Sequence, residues 1–215
     1  MHDIVNKLLL IEKEINQKNR ETEIIAVSKT HPMSSIIPLI NYGHKHFGEN
    51  KVQEAIEKWT SIKSDFPLIK LHMIGKLQTN KVKYVLPIFD YIHSLDNLKL
   101  AEKISKEQKK LKKRIKLFIQ INIGEEDQKS GIDPSKLKTF YSICKDELDL
   151  DIIGLMCLPP NNRSPEKYFL EMNKFKQQLC LGQLSIGMSA DYMEAIKYNA
   201  TFVRIGSKIF GDRDS

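Results

Sequence analysis

Residues 24–30 read Ile-Ile-Ala-Val-Ser-Lys-Thr, a β-branched apolar run that ends in polar residues. Such a run is typical of a short buried strand. Lysine is rarely buried unless it is paired or used, because desolvation disfavours the charged ammonium. A neutral amine forms Schiff bases with carbonyl compounds, so Lys29 is a candidate imine former. On these residues alone, the alternative is that Lys29 lies just past the strand and points into solvent.

The rest of the chain repeats a strand followed by a helical pattern. An amphipathic helix at residues 3–18 comes first. Eight strands alternating with helices predict a single (β/α)8 barrel over residues 1–215, of the TIM type. An open doubly wound sheet is the alternative on spacing alone. The predicted strands are residues 24–30, 46–50, 69–75, 91–95, 116–123, 151–158, 183–187 and 202–206.

Three helix boundaries are predicted from local signals. Ser34 as the N-cap and Gly43 as the stop delimit a helix at residues 34–42. Pro87 ends the helix that begins at Asn80, because proline disfavours helical geometry in the residue before it. Ser189 is the expected N-cap of the helix after the seventh strand.

Composition restricts the class of protein. With 215 residues, 41% of them hydrophobic and 28% charged, the chain is an ordinary globular sequence. It has no apolar stretch long enough to cross a membrane and no signal-peptide pattern, so we expect a cytoplasmic protein. Its three cysteines form no C-x-x-C pair, and His44 with His46 lacks further ligands nearby in sequence. We therefore expect neither a disulfide framework nor a metal site.

The net charge of +7 raises the question of a nucleic-acid partner. The densest basic cluster, residues 103–114, lies on a predicted helix together with Glu102 and Glu107. Aromatic residues that could stack on bases are absent from it. The cluster is typical of a solvated helix face, and we expect neither nucleic-acid nor membrane binding.

Polar and glycine residues stand at the predicted carboxyl ends of the strands, where barrels build their sites. Two segments are the most specific. Ser185-Ile-Gly-Met-Ser189 and Arg204-Ile-Gly-Ser207 each bring glycine, hydroxyl and backbone N–H groups to the start of a helix, an arrangement suited to phosphate. Tight turns without a ligand are the alternative. The strand-end residues are Lys29, Glu49, Asn50, His72, Met156, Gly187, Ser189, Arg204, Gly206 and Ser207.

An imine-forming lysine and a phosphate cradle on one rim describe a site for pyridoxal 5′-phosphate (PLP). A Schiff-base aldolase acting on a sugar phosphate needs the same pair, so the residues alone leave both open. Several motifs resemble the YggS/PROSC family of PLP homeostasis proteins, in the same order and over nearly the whole chain. They are Ala26-Val-Ser-Lys-Thr-His-Pro32, Phe47-Gly-Glu-Asn-Lys-Val-Gln-Glu54, His72-Met-Ile-Gly-Lys-Leu-Gln-Thr-Asn-Lys81, Gly154-Leu-Met156, Ser185–Ser189 with Asp191, and residues 203–213.

That resemblance implies the barrel of the alanine racemase N-terminal domain without the racemase's second, β domain. It implies that Lys29 holds PLP as an imine, that Arg204 faces the pyridine nitrogen, and that Asn50 and Met156 lie near the ring. His72 and His93 are candidates for the pocket wall, and packing with one hydrogen bond explains them equally well. The phosphate contacts implied are Ser189, Gly206 and Ser207.

The function implied is a PLP-binding protein that maintains intracellular PLP and supplies apo-enzymes. An arginine at the ring nitrogen makes PLP a poorer electron sink, and the missing second domain removes the racemase's second base. We therefore expect a non-catalytic monomer. A weak PLP-dependent amino-acid racemase is the alternative. For release, Lys129 or Lys208 is hypothesised to compete for the aldehyde.

Overall fold

The strands of the protein close into a parallel barrel, in a computed structural model that describes residues 2–19, 21–124, 126, 130–160 and 163–211. Neighbours pair in chain order, and the last strand pairs with the first, with Ile25 opposite Arg204. The predicted barrel is confirmed, and the open sheet is wrong. The strands are β1 (Glu23–Val27), β2 (His46–Glu49), β3 (Lys70–Met73), β4 (Tyr91–Leu95), β5 (Lys116–Ile121), β6 (Ile152–Cys157), β7 (Gln183–Met188) and β8 (Phe202–Ile205).

Helices cover the outside of the barrel. The first helix buries Val5, Leu8, Ile11 and Ile15, which the helical period places on one face. Within the described ranges, no helix is long and apolar enough to cross a membrane. The helices are α1 (Asp3–Asn16), α2 (Met33–Tyr42), α3 (Val52–Asp65), α4 (Val82–Ile88), α5 (Leu98–Leu111), α6 (Leu137–Ser142), α7 (Glu166–Gln178), α8 (Tyr192–Lys197) and α9 (Ser207–Phe210).

Alternate residues of each strand enter two separate layers. Ile24 and Ala26 of β1 belong to the outer layer, a continuous apolar core between strands and helices. Ile25 belongs to the interior of the barrel, together with Tyr91, Phe118, Met156 and Phe202. Buried polar residues share that interior: His72, His93, Ser185 and Arg204. A polar group enclosed there must find its hydrogen-bond partners inside the barrel.

Three predicted helix boundaries are corrected by the structure. Pro32, in an extended conformation, takes the N-cap position of α2 instead of Ser34. The α4 helix continues through Pro87 to Ile88, with Val85 and Leu86 of its last turn buried against the core. Gly43 does end α2, in the left-handed conformation that glycine adopts without strain.

The third correction concerns the turn between β7 and α8. The helix begins at Tyr192, with Asp191 at its N-cap position, so Ser189 is not its cap. Asp191 Oδ1 instead accepts a hydrogen bond from the Met188 N–H at 2.6 Å and closes a tight turn ahead of the helix. Ser189 is thereby left on the rim of the barrel.

Part of the basic cluster on and after α5 is engaged in ion pairs. Lys103 and Lys110 both contact Glu107, at 2.8 and 3.1 Å. Arg114 pairs with Asp149 at 3.1 Å. These contacts support the interpretation of a solvated helix face.

Candidate functional site

A cavity of about 660 Å³ lies at the carboxyl ends of the strands. It brings together residues from the turns after β1, β2, β7 and β8, which are far apart in the chain. The predicted site residues on its wall are Lys29, Asn50, Ser189, Arg204, Gly206 and Ser207. The other wall residues, which we did not single out from sequence, are Val27, His31, Ile74, Leu158, Met188, Ala190 and Gly211. Their position could have identified them, because nearly all of them end a strand or directly follow one.

Lys29 is half-buried in the turn that follows β1. The turn is held from the outside by Lys58, whose Nζ donates to the backbone oxygens of Ser28 and His31 at 2.8 and 3.3 Å. Thr30 adopts a left-handed φ of 65°, and its N–H donates to the Glu54 carboxylate. Burial raises the pKa of Glu54, but the hydrogen bonds from Lys58 and Thr30 outweigh it and leave that pKa below its usual value. The backbone carrying Lys29 is therefore fixed by a charged network.

A buried carboxylate anchors that network. Glu49 is fully buried at the end of β2. Its Oε1 accepts from Ser28 Oγ at 2.7 Å and Trp59 Nε1 at 3.0 Å, and it lies 2.8 Å from Lys58 Nζ. Because removal of one partner from a buried ion pair is costly, these contacts lock the ends of β1 and β2 to α3.

Two turns beside the Lys29 turn, after the neighbouring strands β8 and β7, provide hydrogen-bonding groups. Gly187 has a φ of +89°, and a Cβ there would lie 2.6 Å from the Ala195 Cβ. Only glycine fits that position without strain. The Ser189 hydroxyl accepts a hydrogen bond from the Gly206 N–H at 3.3 Å, which ties the β7 turn to the β8 turn. Ser189, Gly206 and Ser207 thus line one continuous part of the cavity wall.

Arg204 forms part of the cavity wall and is 4% exposed. Its Nη1 donates to the Ser185 backbone oxygen at 2.7 Å and to Ser185 Oγ at 2.8 Å, and its Nη2 donates to the Cys157 backbone oxygen at 2.9 Å. Burial lowers the pKa of Arg204 from its usual value, yet a guanidinium stays protonated. Three of its five N–H donors hold it to the barrel, so the cavity wall carries an oriented positive charge.

Asn50 is positioned by close backbone packing. A Cβ at Gly75 would lie 2.3 Å from the Asn50 backbone oxygen, so the turns after β2 and β3 touch directly. A second cavity of about 330 Å³ lies beside the first and shares Asn50, Ile74 and Leu158 with it. Asn50 therefore stands between two compartments.

His72, Met156 and His93 lie elsewhere. All three are fully buried in the barrel interior and are not part of the cavity wall. Lys208 is exposed outside the cavity wall, with its Nζ 4.7 Å from the centre of the Tyr192 ring. Lys129 and residues 212–213 fall outside the described residues.

Comparison with known proteins agrees with this geometry. Residues 7–214 match the family model for the alanine racemase N-terminal domain. A protein from Aquifex aeolicus named pyridoxal phosphate homeostasis protein is 38% identical over 200 residues, covering 89% of this chain and 87% of that protein. An Escherichia coli protein of the same name is 32% identical, covering 100% and 98%. The chain belongs to the family of pyridoxal phosphate homeostasis proteins.

A solved structure shows another member with its ligand. PipY of Synechococcus elongatus with PLP bound has 33% sequence identity and a TM-score of 0.87, and the match covers 97% of this chain and 100% of that one. Alanine racemase from Corynebacterium glutamicum shares the fold, with a TM-score of 0.74 at 13% identity over 61% of its length. The homeostasis protein family thus has the barrel of the racemase within a shorter chain.

Proposed function

We propose that this protein binds PLP on Lys29 and serves as a carrier that maintains the intracellular supply of the cofactor. One observation carries the proposal: Lys29, Arg204 and the Ser189–Gly206–Ser207 turns line a single cavity, from the adjoining strands β1, β8 and β7. The names of the relatives and the PLP-bound PipY structure support it.

The cavity fits the chemistry of this cofactor. PLP carries an aldehyde, a phosphate and a pyridine nitrogen, and the wall offers an amine, a set of hydroxyl and N–H donors, and a guanidinium. The volume of about 660 Å³ lies within the range of small-molecule sites. A sugar-phosphate aldolase could use the same amine and phosphate-binding groups, and the relatives named for PLP favour PLP over that alternative.

The residues divide the work of binding. When bound, PLP supplies an aldehyde that a neutral amine captures reversibly, with formation of a C=N bond and loss of water. Lys29 provides the amine, and the network of Glu49, Lys58 and Glu54 holds its turn. Ser189, Gly206 and Ser207 hold the phosphate, and Asn50 hydrogen-bonds near the ring.

Arg204 favours storage over catalysis. A guanidinium only donates hydrogen bonds and carries a permanent charge, so it keeps the nitrogen that it faces unprotonated. Carbanion chemistry on this cofactor needs a strong electron sink, which an unprotonated ring does not provide. We therefore propose a non-catalytic, monomeric, cytoplasmic carrier that passes PLP to apo-enzymes and does not act on nucleic acids or membranes.

The test is the visible absorption of the purified protein with added PLP, before and after Lys29→Ala. We expect a band of lysine-bound cofactor in the wild type and its complete loss in the variant. Lys51→Ala, which removes an exposed lysine beside Asn50, is the matched control and should keep the band. Borohydride reduction followed by peptide mapping should place the added mass on Lys29. A colourless wild type, or a label on another lysine, contradicts the proposal.

A second measurement separates a carrier from a racemase. Exchange of the α-proton of L- and D-alanine in D₂O should proceed no faster with the loaded protein than with free PLP. An exchange rate well above that with free PLP would identify the protein as a weak racemase instead. Transfer of PLP to an apo-enzyme, compared between wild type, Lys129→Ala and Lys208→Ala, tests whether either amine assists release.

A further inference from the structure

A row of side chains crosses the interior of the barrel, from the cavity to the opposite mouth. Each nitrogen or oxygen faces the next: Ser185 Oγ and His93 Nδ1 are 2.9 Å apart, as are His93 Nε2 and His72 Nδ1, and His72 Nε2 and His46 Nδ1. His46, at the start of β2, is half-buried at the far end. We call these four side chains the histidine relay: Ser185, His93, His72 and His46.

Arg204 dictates the direction of the hydrogen bonds. Its guanidinium has only donors, so at 2.8 Å it must donate to Ser185 Oγ. A serine hydroxyl has a single proton, and His93 Nδ1 is the acceptor that lies within reach of it. The reverse direction would make Ser185 Oγ accept from both sides and leave its proton without an acceptor in the relay.

The direction then propagates through neutral rings. A neutral imidazole has one donor and one acceptor nitrogen. When His93 accepts at Nδ1, its Nε2 carries the proton and donates to His72 Nδ1. His72 in turn donates from Nε2 to His46 Nδ1. One buried arginine thereby specifies the same tautomer, protonated at Nε2, in three histidines.

The surroundings keep the relay neutral. Burial lowers the pKa values of His72 and His93 well below the usual value for histidine. The charge of Arg204 also lowers the pKa of His93. The rings are also fixed by stacking, His72 on Tyr91 and His93 on Phe118, each at 4.2 Å between centroids. The relay is therefore rigid as well as uncharged.

We propose that the histidine relay is a positioning device for Arg204, a one-way hydrogen-bond chain that fixes the Ser185 hydroxyl so that its oxygen holds the guanidinium at the cavity wall. The part that concerns the ring nitrogen of PLP rests on the proposed function, whereas the direction of the relay does not. The three histidines do not come together to bind a metal ion, because the described residues contain no group of three or more His, Cys, Asp or Glu side chains that could hold one. The rings meet in successive pairs and do not converge on one point.

The direction is tested by NMR on the protein labelled with ¹⁵N-histidine, without added cofactor. Long-range ¹H–¹⁵N correlations distinguish imidazoles protonated at Nε2 from those protonated at Nδ1. We expect His93, His72 and His46 all to be protonated at Nε2 at neutral pH. Protonation at Nδ1 of His93 or His72, or a mixture in the wild type, overturns the proposal.

Ser185→Ala removes the link between Arg204 and the rings. Without the Ser185 hydroxyl, His93 Nδ1 has no partner, whichever way the hydrogen bonds of the relay run. Neither direction is then favoured, and we expect mixed tautomers. Ser94→Ala is the matched control: Ser94 is also a buried serine, on the same strand as His93, and its hydroxyl has no hydrogen-bond partner within the described structure. It should leave all three tautomers unchanged. Unchanged tautomers in Ser185→Ala would contradict control by Arg204.

The effect on the site is measured by titration with PLP. Because Ser185 Oγ accepts from a charged donor, its loss should weaken binding about tenfold and shift the absorption band of the bound cofactor, whereas Ser94→Ala does neither. Equal binding and spectra in both variants would contradict the positioning role. If the wild type binds no PLP, the proposed function fails while the tautomer result stands by itself.

Discussion

The outer layer of the barrel and its interior are both closed to water, but they are filled differently. The outer layer is a continuous apolar core with large rings such as Trp59 and Phe169. The interior contains a small apolar cluster and the histidine relay, which ends on Arg204. One face of the strands thus packs into the apolar core, while the other carries the polar side chains that contact Arg204.

The outer layer contains a buried ion pair, Glu49 with Lys58. This pair lies at the carboxyl ends of the strands, directly behind the Lys29 turn. Desolvation of the two ions is costly, and their burial here supports the backbone of the Lys29 turn.

The largest expected effect comes from the outer layer. Phe169→Ala removes a fully buried ring of α7 and should lower the free energy of unfolding by about 3–5 kcal/mol, through lost transfer energy and a cavity. Urea unfolding at pH 7 measures the loss. The histidine tautomers should not change. A loss below about 1 kcal/mol would show that α7 contributes little to the core.

The interior should make the protein sensitive to acid. Burial lowers the pKa of His46 to about 4 and holds the pKa values of His72 and His93 well below their usual value. His44, which packs on Phe47 of the outer layer, also has its pKa lowered to about 4 by burial. Between pH 6.5 and 4 the unfolded state binds protons that the native state does not, so stability is complete above pH 6.5 and falls as the pH decreases. Each histidine contributes up to about 1.4 kcal/mol per pH unit.

Urea unfolding at pH 7, 6 and 5 separates the two layers. Phe169→Ala should lower stability equally at each pH and leave the slope of stability against pH unchanged. His46→Phe should reduce that slope by an amount that corresponds to about one fewer proton taken up on unfolding. The same slope in wild type and His46→Phe would mean that His46 is not held neutral in the native protein.

The smallest expected effect comes from substitutions at two neighbouring residues of β1. Ile24 belongs to the outer layer and Ile25 to the interior. Ile24→Val and Ile25→Val should each cost about 0.5–1.5 kcal/mol in unfolding free energy. Only Ile25→Val should shift the ring ¹⁵N signals of the relay, because Ile25 packs in the cluster that contains Tyr91 and Phe118. Equal shifts in both variants would show that the layers are coupled.

Most of the fold could be predicted from local patterns. Apolar runs and helical periodicity located all eight strands within a few residues, and β4 matched at both ends. Helix caps were less predictable, because Pro32 and Asp191 compete with nearby serines and only the path of the chain decides which residue is used. The strand-end position of Lys29, Asn50, Arg204 and the glycine turns was equally readable, since parallel strands bring their carboxyl ends to one mouth.

The roles of the histidines could not be read in the same way. His46, His72 and His93 occupy interior positions of three successive strands, a regularity that is visible in the sequence only once the register is known. Residue types near a strand end suggested a cofactor pocket for His72 and His93, and an incomplete metal pair for His46. The structure places all three below the cavity, in contact with one another.

The sequence by itself determined the number and order of the strands and the mouth at which the cavity forms, because these depend on periodicity and on residues close together in the chain. Spacing left the closure of the barrel open, and the pairing of β1 with β8 decided it. Only the tertiary structure decided that His46 contacts His72, 26 residues along the chain, and that His72 contacts His93, 21 residues further on. It also decided that Ser185, 92 residues beyond His93, joins them. Those contacts depend on strand register, and a shift of one residue would turn each ring from the interior to the outer layer.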